Sequence, residues 1–293
     1  MNPLERGAPH LSIVLATCNR LPLLRECLMH TRRAIVESVG ADDAEIIVVD
    51  GDSRDGTREF LAGQRDLRTH IEGRRGGCCA AYNLGLRMAR GHYVMWLNDD
   101  AYPLPGAFGA ALDLIERADM TDVGMVAFYH THHQPWNELH GMDVPWPPAG
   151  VTLSDPATTG ANPRPMERFG ILHVRGRPYA NFGLLRTALL RQLGWLDPEY
   201  VFCAWDPDLS LKVQVQAGLR VIGAPDARIY HAEHQDDRKR DDAARLRDAD
   251  NERLFRKWNL PAKDAYPDPR PEYLALMRSR GLLPTPEPVA ALR

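Results

Sequence analysis

A mixed, mostly parallel α/β sheet flanked by helices, with a charged helical extension behind it, is the architecture this sequence predicts. Three observations predict it. Short apolar runs alternate with helical patterns through the first third of the chain, the signature of strand–helix–strand units. Those runs are apolar on consecutive rather than alternate residues, which places them in a sheet covered on both faces and joined by right-handed crossovers. Beyond residue 235 the composition turns sharply toward charge, with only sparse apolar anchors.

LSIVLA (Leu11–Ala16) reads as the first strand, too short for a helix and followed by the loop TCNR. LPLLRECLMHTRRAIVES carries apolar residues at helical spacing, with Pro22 in the first turn, where a missing N–H costs little. EIIVVD (Glu45–Asp50) is a second buried strand, and GDSRDGT after it can start a short helix through Thr57, Phe60 and Leu61. RTHIE is a weak third strand. GGCCAAYNLGLRMARG is helical, HYVMWL a fourth strand, and GAFGAALDLIERA a helix. DVGMVAFY predicts a fifth strand. HTHHQPWNELHGMDVPWPPAG, rich in His, Pro and Trp, predicts a long functional loop. NFGLLRTALLRQLG resumes strand and helix, DPDLSLKVQVQAG is an amphipathic helix, and RVIGAPDARIYH holds two short strands. QDDRKRDDAARLRDADNERLFRKW predicts a surface helix laced with ion pairs, anchored by Leu246, Leu254, Phe255 and Trp258. A proline-punctuated tail with one short helix follows.

Composition narrows the function. The 293 residues suffice for a substantial core, and a formal net charge of −3 argues against bulk binding to nucleic acid or an anionic membrane. No run approaches the roughly 20 apolar residues of a membrane span. MNPLERGAPH lacks the apolar stretch of a secretory signal, so the expectation is a cytoplasmic protein. The 5 cysteines, Cys18, Cys27, Cys78, Cys79 and Cys203, show no metal-ligand spacing and read as reduced, mostly buried residues.

In sheets of this kind ligands gather at the carboxyl ends of the strands. Three such ends, TCNR, DGDS and NDD, are all polar. Asp99 and Asp100 offer hard oxygen ligands for Mg²⁺ or Mn²⁺, although adjacent acids on a loop are commonly just solvated. Asp50 can accept from a nucleobase imide or a ribose hydroxyl, Thr17 and Asn19 can make similar contacts, and Arg20 suits a phosphate. Arg74, Arg75 and a glycine pair before a helix form a plausible diphosphate neighbourhood, but the GKS or GKT of a P-loop is absent.

Taken together, SIVLATCNR, EIIVVDGDSRDGT, GGCCAAYNLGLRMARGHYVMWLNDD and DPDLSLKVQVQAG with PDARIYH resemble, in order and spacing, the family-2 glycosyltransferases of the GT-A fold. The resemblance covers roughly residues 10 to 235. It implies a Rossmann-like, mostly parallel sheet and an inverting transfer from a nucleoside-diphosphate sugar. By the same resemblance, residues 1–9 are a tail, 10–125 the donor half, 126–235 the acceptor and catalytic half, and 236–293 a helical extension.

The resemblance assigns Thr17, Asn19, Asp50, Asp52, Asn83 and Asp99 to the nucleotide or donor, and Arg20 and Arg75, the phosphate neighbours, join them as donor-binding candidates. It assigns Asp100, Asp99 and His231 to a divalent metal, Mn²⁺ or Mg²⁺, with Asn98 standing where the family has its first acid. Asp206 matches the general base, and Trp205 replaces a family Glu beside it. Trp136, Trp205 and Asp208 fall in the acceptor region, although Asp208 can equally cap its helix. His130, His132, His133 and His140 fit no zinc spacing and read at best as acceptor-loop lining. UDP-sugars are favoured, with dTDP- and GDP-sugars open. The acceptor is a glycan, a lipid-linked molecule or a small molecule, and peripheral membrane association and a homodimer stay open. The rival reading is a catalytically weak GT-A scaffold that binds a nucleotide or a partner. A sugar-1-phosphate nucleotidyltransferase would want a glycine-rich GTR-type loop where ATCNR stands.

Overall fold

The computed structural model describes residues 7–131, 138–142, 169–232, 241–261 and 270–282. Its strands are β1 (Leu11–Thr17), β2 (Ala44–Asp50), β3 (Leu67–Ile71), β4 (Tyr93–Asn98), β5 (Ala101–Pro103), β6 (Val123–Thr131), β7 (Glu138–Met142), β8 (Phe169–Val174), β9 (Arg177–Tyr179), β10 (Gly183–Arg186) and β11 (Arg220–His231). Its helices are α1 (Leu21–Ser38), α2 (Thr57–Ala62), α3 (Cys78–Met88), α4 (Ala107–Glu116), α5 (Thr187–Gln192), α6 (Trp205–Leu211), α7 (Asp241–Lys257) and α8 (Arg270–Ser279).

The main sheet runs β3-β2-β1-β4-β10-β6-β11-β5. β3, β2, β1 and β4 are mutually parallel, as their unbroken apolar runs require. β10 lies antiparallel between β4 and β6, so it reverses the sheet at its centre. Leu11, Ile13, Val14, Leu15, Val48 and Trp96 are fully buried, which puts the core along the β1–β4 seam. Helix α1 folds where its apolar stripe, Leu24, Cys27, Leu28 and Ile35, meets that core.

Three departures from the sequence expectation bear on the site. RVIGAPDARIYH forms one twelve-residue strand rather than two, with its register slipping between Ala224 and Arg228. Pro225 has no N–H for the ladder, and pairing resumes three residues on. β5, three residues long, follows Asp100 directly and pairs antiparallel with β11, so Ala101 faces His231. The segment before residue 180 contributes β8 and β9, a hairpin that no periodicity marked.

Candidate functional site

The turn Asn98–Asp100 leaves β4 and returns as β5, and helix α1 holds it from behind. The Cys27 thiol donates toward the carbonyls of Asn98 at 3.4 Å and Ala101 at 3.2 Å, so a buried, inert cysteine helps fix the turn. Asp99 and Asp100 are buried, at 3% and 4% exposure. Buried carboxylates need partners. Arg20 supplies one to both, bonding Asp99 and lying 3.0 Å from Asp100, while the Thr17 hydroxyl donates to Asp99 at 2.8 Å. Two residues assigned separately to nucleotide contact, Thr17 and Arg20, therefore form one network with the acids.

On the other side, β11 delivers His231. Its Nε2 lies 3.5 Å from Asp100 and 3.3 Å from the Asn98 amide nitrogen, and its ring packs edge-on against Phe182. Burial pushes the Asp100 carboxyl up, but His231 and Arg20 outweigh it and hold the group well below the usual carboxylate range. Among the described residues no group of three or more His, Cys, Asp or Glu side chains is arranged to hold a metal ion. The donor chemistry still fits a hard divalent cation. Two donors 3.5 Å apart can both reach one ion at roughly 2.1 Å, and a two-residue set leaves positions for phosphate oxygens.

The second strand end is bound to the first. Asn19, in the left-handed region at φ 54°, donates its backbone N–H to Ser53 at 2.7 Å and accepts from the Arg54 N–H at 2.7 Å. Asp50, fully buried, accepts from the backbone N–H of Ser53 at 3.1 Å and from its hydroxyl, with Arg58 at 3.6 Å. Asp52, also left-handed, pairs with Arg58. Asp55 serves the helix starts, accepting from Leu21 N–H at 2.9 Å and Thr57 N–H at 3.2 Å. Arg75 is exposed and its stem runs over Gly51. Asn83 accepts from the Leu196 N–H at 3.2 Å, tying α3 to the loop before α6.

A cavity of about 810 Å³ opens beside these strand ends, and both Asn98 and Asp206 line it. Asp206 stands in the first turn of α6 after Ala204, which takes a left-handed φ of 62°. No basic side chain pairs with it among the described residues. Burial pushes its carboxyl up to about 7.

Its neighbour Trp205 is 5% exposed and packs between Tyr82 and Trp96, with ring centroids 4.6 and 5.5 Å away. The Tyr82 hydroxyl in turn lies 2.9 Å from the Asn98 side-chain oxygen. Trp205 thus braces the turn from inside the core. Asp208 faces away from the cavity. It accepts from Trp258 at 2.7 Å, from Tyr200 at 3.2 Å and pairs with Lys257 at 2.8 Å, so it anchors the end of α7.

His130 corrects the reading of the histidine-rich stretch as loop lining. It is 1% exposed within β6 and packs edge-on against Phe182. Trp136, His132 and His133 lie outside the described residues, and so does the side chain of His140.

The sequence did not point to Arg175, Arg247 or Asn251, all on the cavity wall. Nor did it mark Asp250, which is 4% exposed and accepts from the backbone N–H groups of Val201, Phe202 and Cys203 at 3.2, 2.8 and 2.9 Å. A signal existed. Asp250 sits four residues after Leu246 and four before Leu254, so an acid stands on the apolar stripe of α7. Among the described residues no helix is long and apolar enough to cross a membrane.

Comparison with known proteins bears on this geometry. Residues 12–173, more than half of the chain, match the profile of glycosyl transferase family 2. Uncharacterized glycosyltransferases of Rickettsia prowazekii and Rickettsia typhi are each 25% identical over 133 residues, 45% of this chain and 40% of theirs. The chain therefore matches well under half the length of those relatives. The mannosyltransferase PcManGT of Pyrobaculum calidifontis, solved with GDP-Man and Mn²⁺, superposes with a TM-score of 0.56 at 22% identity, covering 92% of this chain and 69% of that one. S. aureus TarS 1-349 in complex with UDP-GlcNAc gives 0.54 at 16% identity, covering 92% and 72%. These likenesses establish the GT-A fold.

Proposed function

The chain belongs to glycosyl transferase family 2, and on that premise we propose that it is an inverting, metal-dependent glycosyltransferase. It moves a sugar from a nucleoside-diphosphate sugar to an acceptor hydroxyl in glycan or polysaccharide biosynthesis. One observation carries the reading: a single cavity is lined by Asn98 of the strand-end turn and by Asp206, whose carboxyl burial has pushed to about 7. A base poised there can take a hydroxyl proton near neutral pH. Fold neighbours solved with GDP-Man and with UDP-GlcNAc support a nucleotide-sugar donor.

The donor half is residues 10–125, where Thr17, Asn19, Asp50, Asp52, Asn83 and Arg75 face the nucleotide. The acceptor half is residues 126–235, and α7 contributes to the cavity lined by Asp206. A uracil donor is favoured, with thymine and guanine open, because all three offer Asp50 an imide N–H. Asp100 and His231, with Asp99, would hold Mn²⁺ or Mg²⁺, which stabilises the charge of the departing diphosphate. Arg20 pairs with both carboxylates and orients them. Asp206 removes the acceptor proton as the hydroxyl oxygen attacks the anomeric carbon opposite the leaving group, and one displacement inverts that centre. Trp205 and Tyr82 keep Asn98 and Asp206 in register by packing.

The test is a thermal-shift panel of nucleoside diphosphates with Mn²⁺, followed by a donor screen. Wild type should be stabilised by one diphosphate more with Mn²⁺ than without, and Asp100→Ala should lose that difference. A scaffold that only binds nucleotide draws on Arg20 already saturating both acids. It predicts nucleotide binding that Mn²⁺ does not strengthen.

A further inference from the structure

We propose that the acceptor bound beside Asp206 carries a phosphate monoester or diester, gripped by Arg175 and Arg247, which both line the cavity. This rests on the transferase reading and names its substrate class.

The charge of the cavity is the starting point. Asp206 is the only acid among its described lining residues, and Arg175 and Arg247 both line it. Two guanidinium groups therefore face one carboxylate.

Arg175 is presented by the tight turn of the β8–β9 hairpin. Arg175 and Gly176 both have positive φ, 46° and 82°, the pattern of a turn that matches strand twist. That turn aims the side chain at α7, where its guanidinium carbon sits 4.7 Å over the Phe255 ring. Stacking of this kind fixes the plane of the fork without using its N–H donors. No carboxylate pairs with Arg175 among the described residues.

Arg247 comes from α7 itself. Its ion-pair partner there is the adjacent Asp248 at 3.4 Å, and both side chains are more than half exposed. Such a pair contributes little and leaves the guanidinium available.

The donor does not account for this pair. Its own cationic neighbours, Arg20 and Arg75, sit at the sheet edge and neither lines the cavity. A neutral acceptor would leave Arg175 without a carboxylate among the described residues and Arg247 with only its exposed pair to Asp248. A phosphate would be matched by two forks, with Asn181 and Asn251 also lining the cavity.

The experiment uses the full chain saturated with nucleoside diphosphate and Mn²⁺, titrated calorimetrically with glucose 6-phosphate and with glucose. The phosphorylated sugar should bind roughly tenfold tighter or better. Arg175→Gln and Arg247→Gln should each remove most of that preference, and Arg175→Lys should retain part of it. Nucleoside diphosphate affinity should stay within about twofold of wild type in all three, which also reports that they are folded. Vesicles of phosphatidylglycerol and of phosphatidylcholine identify the source of the phosphate. Arginine-dependent binding to the first alone supports a lipid-borne group, and sugar-phosphate binding without vesicle binding supports a soluble one. Equal affinity for glucose and glucose 6-phosphate, or a preference that survives both glutamine variants, overturns the proposal. A wild type that binds no nucleoside diphosphate at all overturns the transferase reading instead.

Discussion

Replacing Asp206 with Asn should make the protein more stable at neutral pH while stopping sugar transfer. The carboxyl titrates at about 7 in the fold against an ordinary 3.8, because burial disfavours its charged form. Between those values the folded chain holds a proton that the unfolded chain releases, so stability falls as pH rises from about 4 to about 7 and is level above. At about 1.4 kcal/mol for each pH unit the penalty reaches at most ~4 kcal/mol. Asp206 is half-buried against a water-accessible cavity, which screens the charge and brings the expected value to ~2 kcal/mol.

Asparagine keeps the shape and cannot ionise, so its stability curve should lack this slope. Urea unfolding of both proteins at intervals from pH 4 to 8.5 measures it. The curves should converge near pH 4, already stand apart at pH 5, and reach a separation of about 2 kcal/mol above pH 7, or roughly 5 °C in Tm. Transfer should fall by roughly 10²- to 10⁴-fold in Asp206→Asn, and wild-type turnover should rise with pH through about 7. Parallel stability curves across that range would refute the desolvated base, whatever the activity does.

Three other outcomes follow from the same structure. Asp250→Ala removes the acceptor shared by three consecutive N–H groups just before Ala204, and should cost about 2–4 kcal/mol in chemical denaturation, with Asp250→Asn losing less. Arg20→Met takes the internal cation away from Asp99 and Asp100. Titration of the nucleotide-free protein should then show Mn²⁺ binding roughly tenfold tighter than wild type. Gly183→Ala places a Cβ 2.5 Å from the Trp96 ring at the centre of the sheet, and thermal melts should register a loss of about 1–3 kcal/mol.

How much of this was legible in the sequence depended on whether the determining interactions were local. The parallel half of the sheet was, because consecutive apolar residues in LSIVLA, EIIVVD and HYVMWL admit few alternatives to buried strands, and the three polar strand ends then pointed to the ligand edge. The pairing of β5 with β11 was not. Three residues carry no periodicity, and the partner lies more than a hundred residues away, yet this pairing helps set His231 against Asp100. The β8–β9 hairpin was hidden for the same reason, and with it Arg175.

Side-chain roles were least legible where one residue type serves two ends. Arg20 looked like a phosphate ligand because an exposed arginine beside a nucleotide site would be one. In the fold it is 8% exposed and bound to two carboxylates. That burial follows from adjacency of Asp99 and Asp100 itself. Two acids placed side by side in a dry turn require a cation whether or not substrate is present, and the chain carries its own. The question that adjacent acids pose therefore has two answers in one site: Arg20 supports the folded turn, and Asp100 with His231, 3.5 Å apart, would receive the metal ion of the proposed reaction.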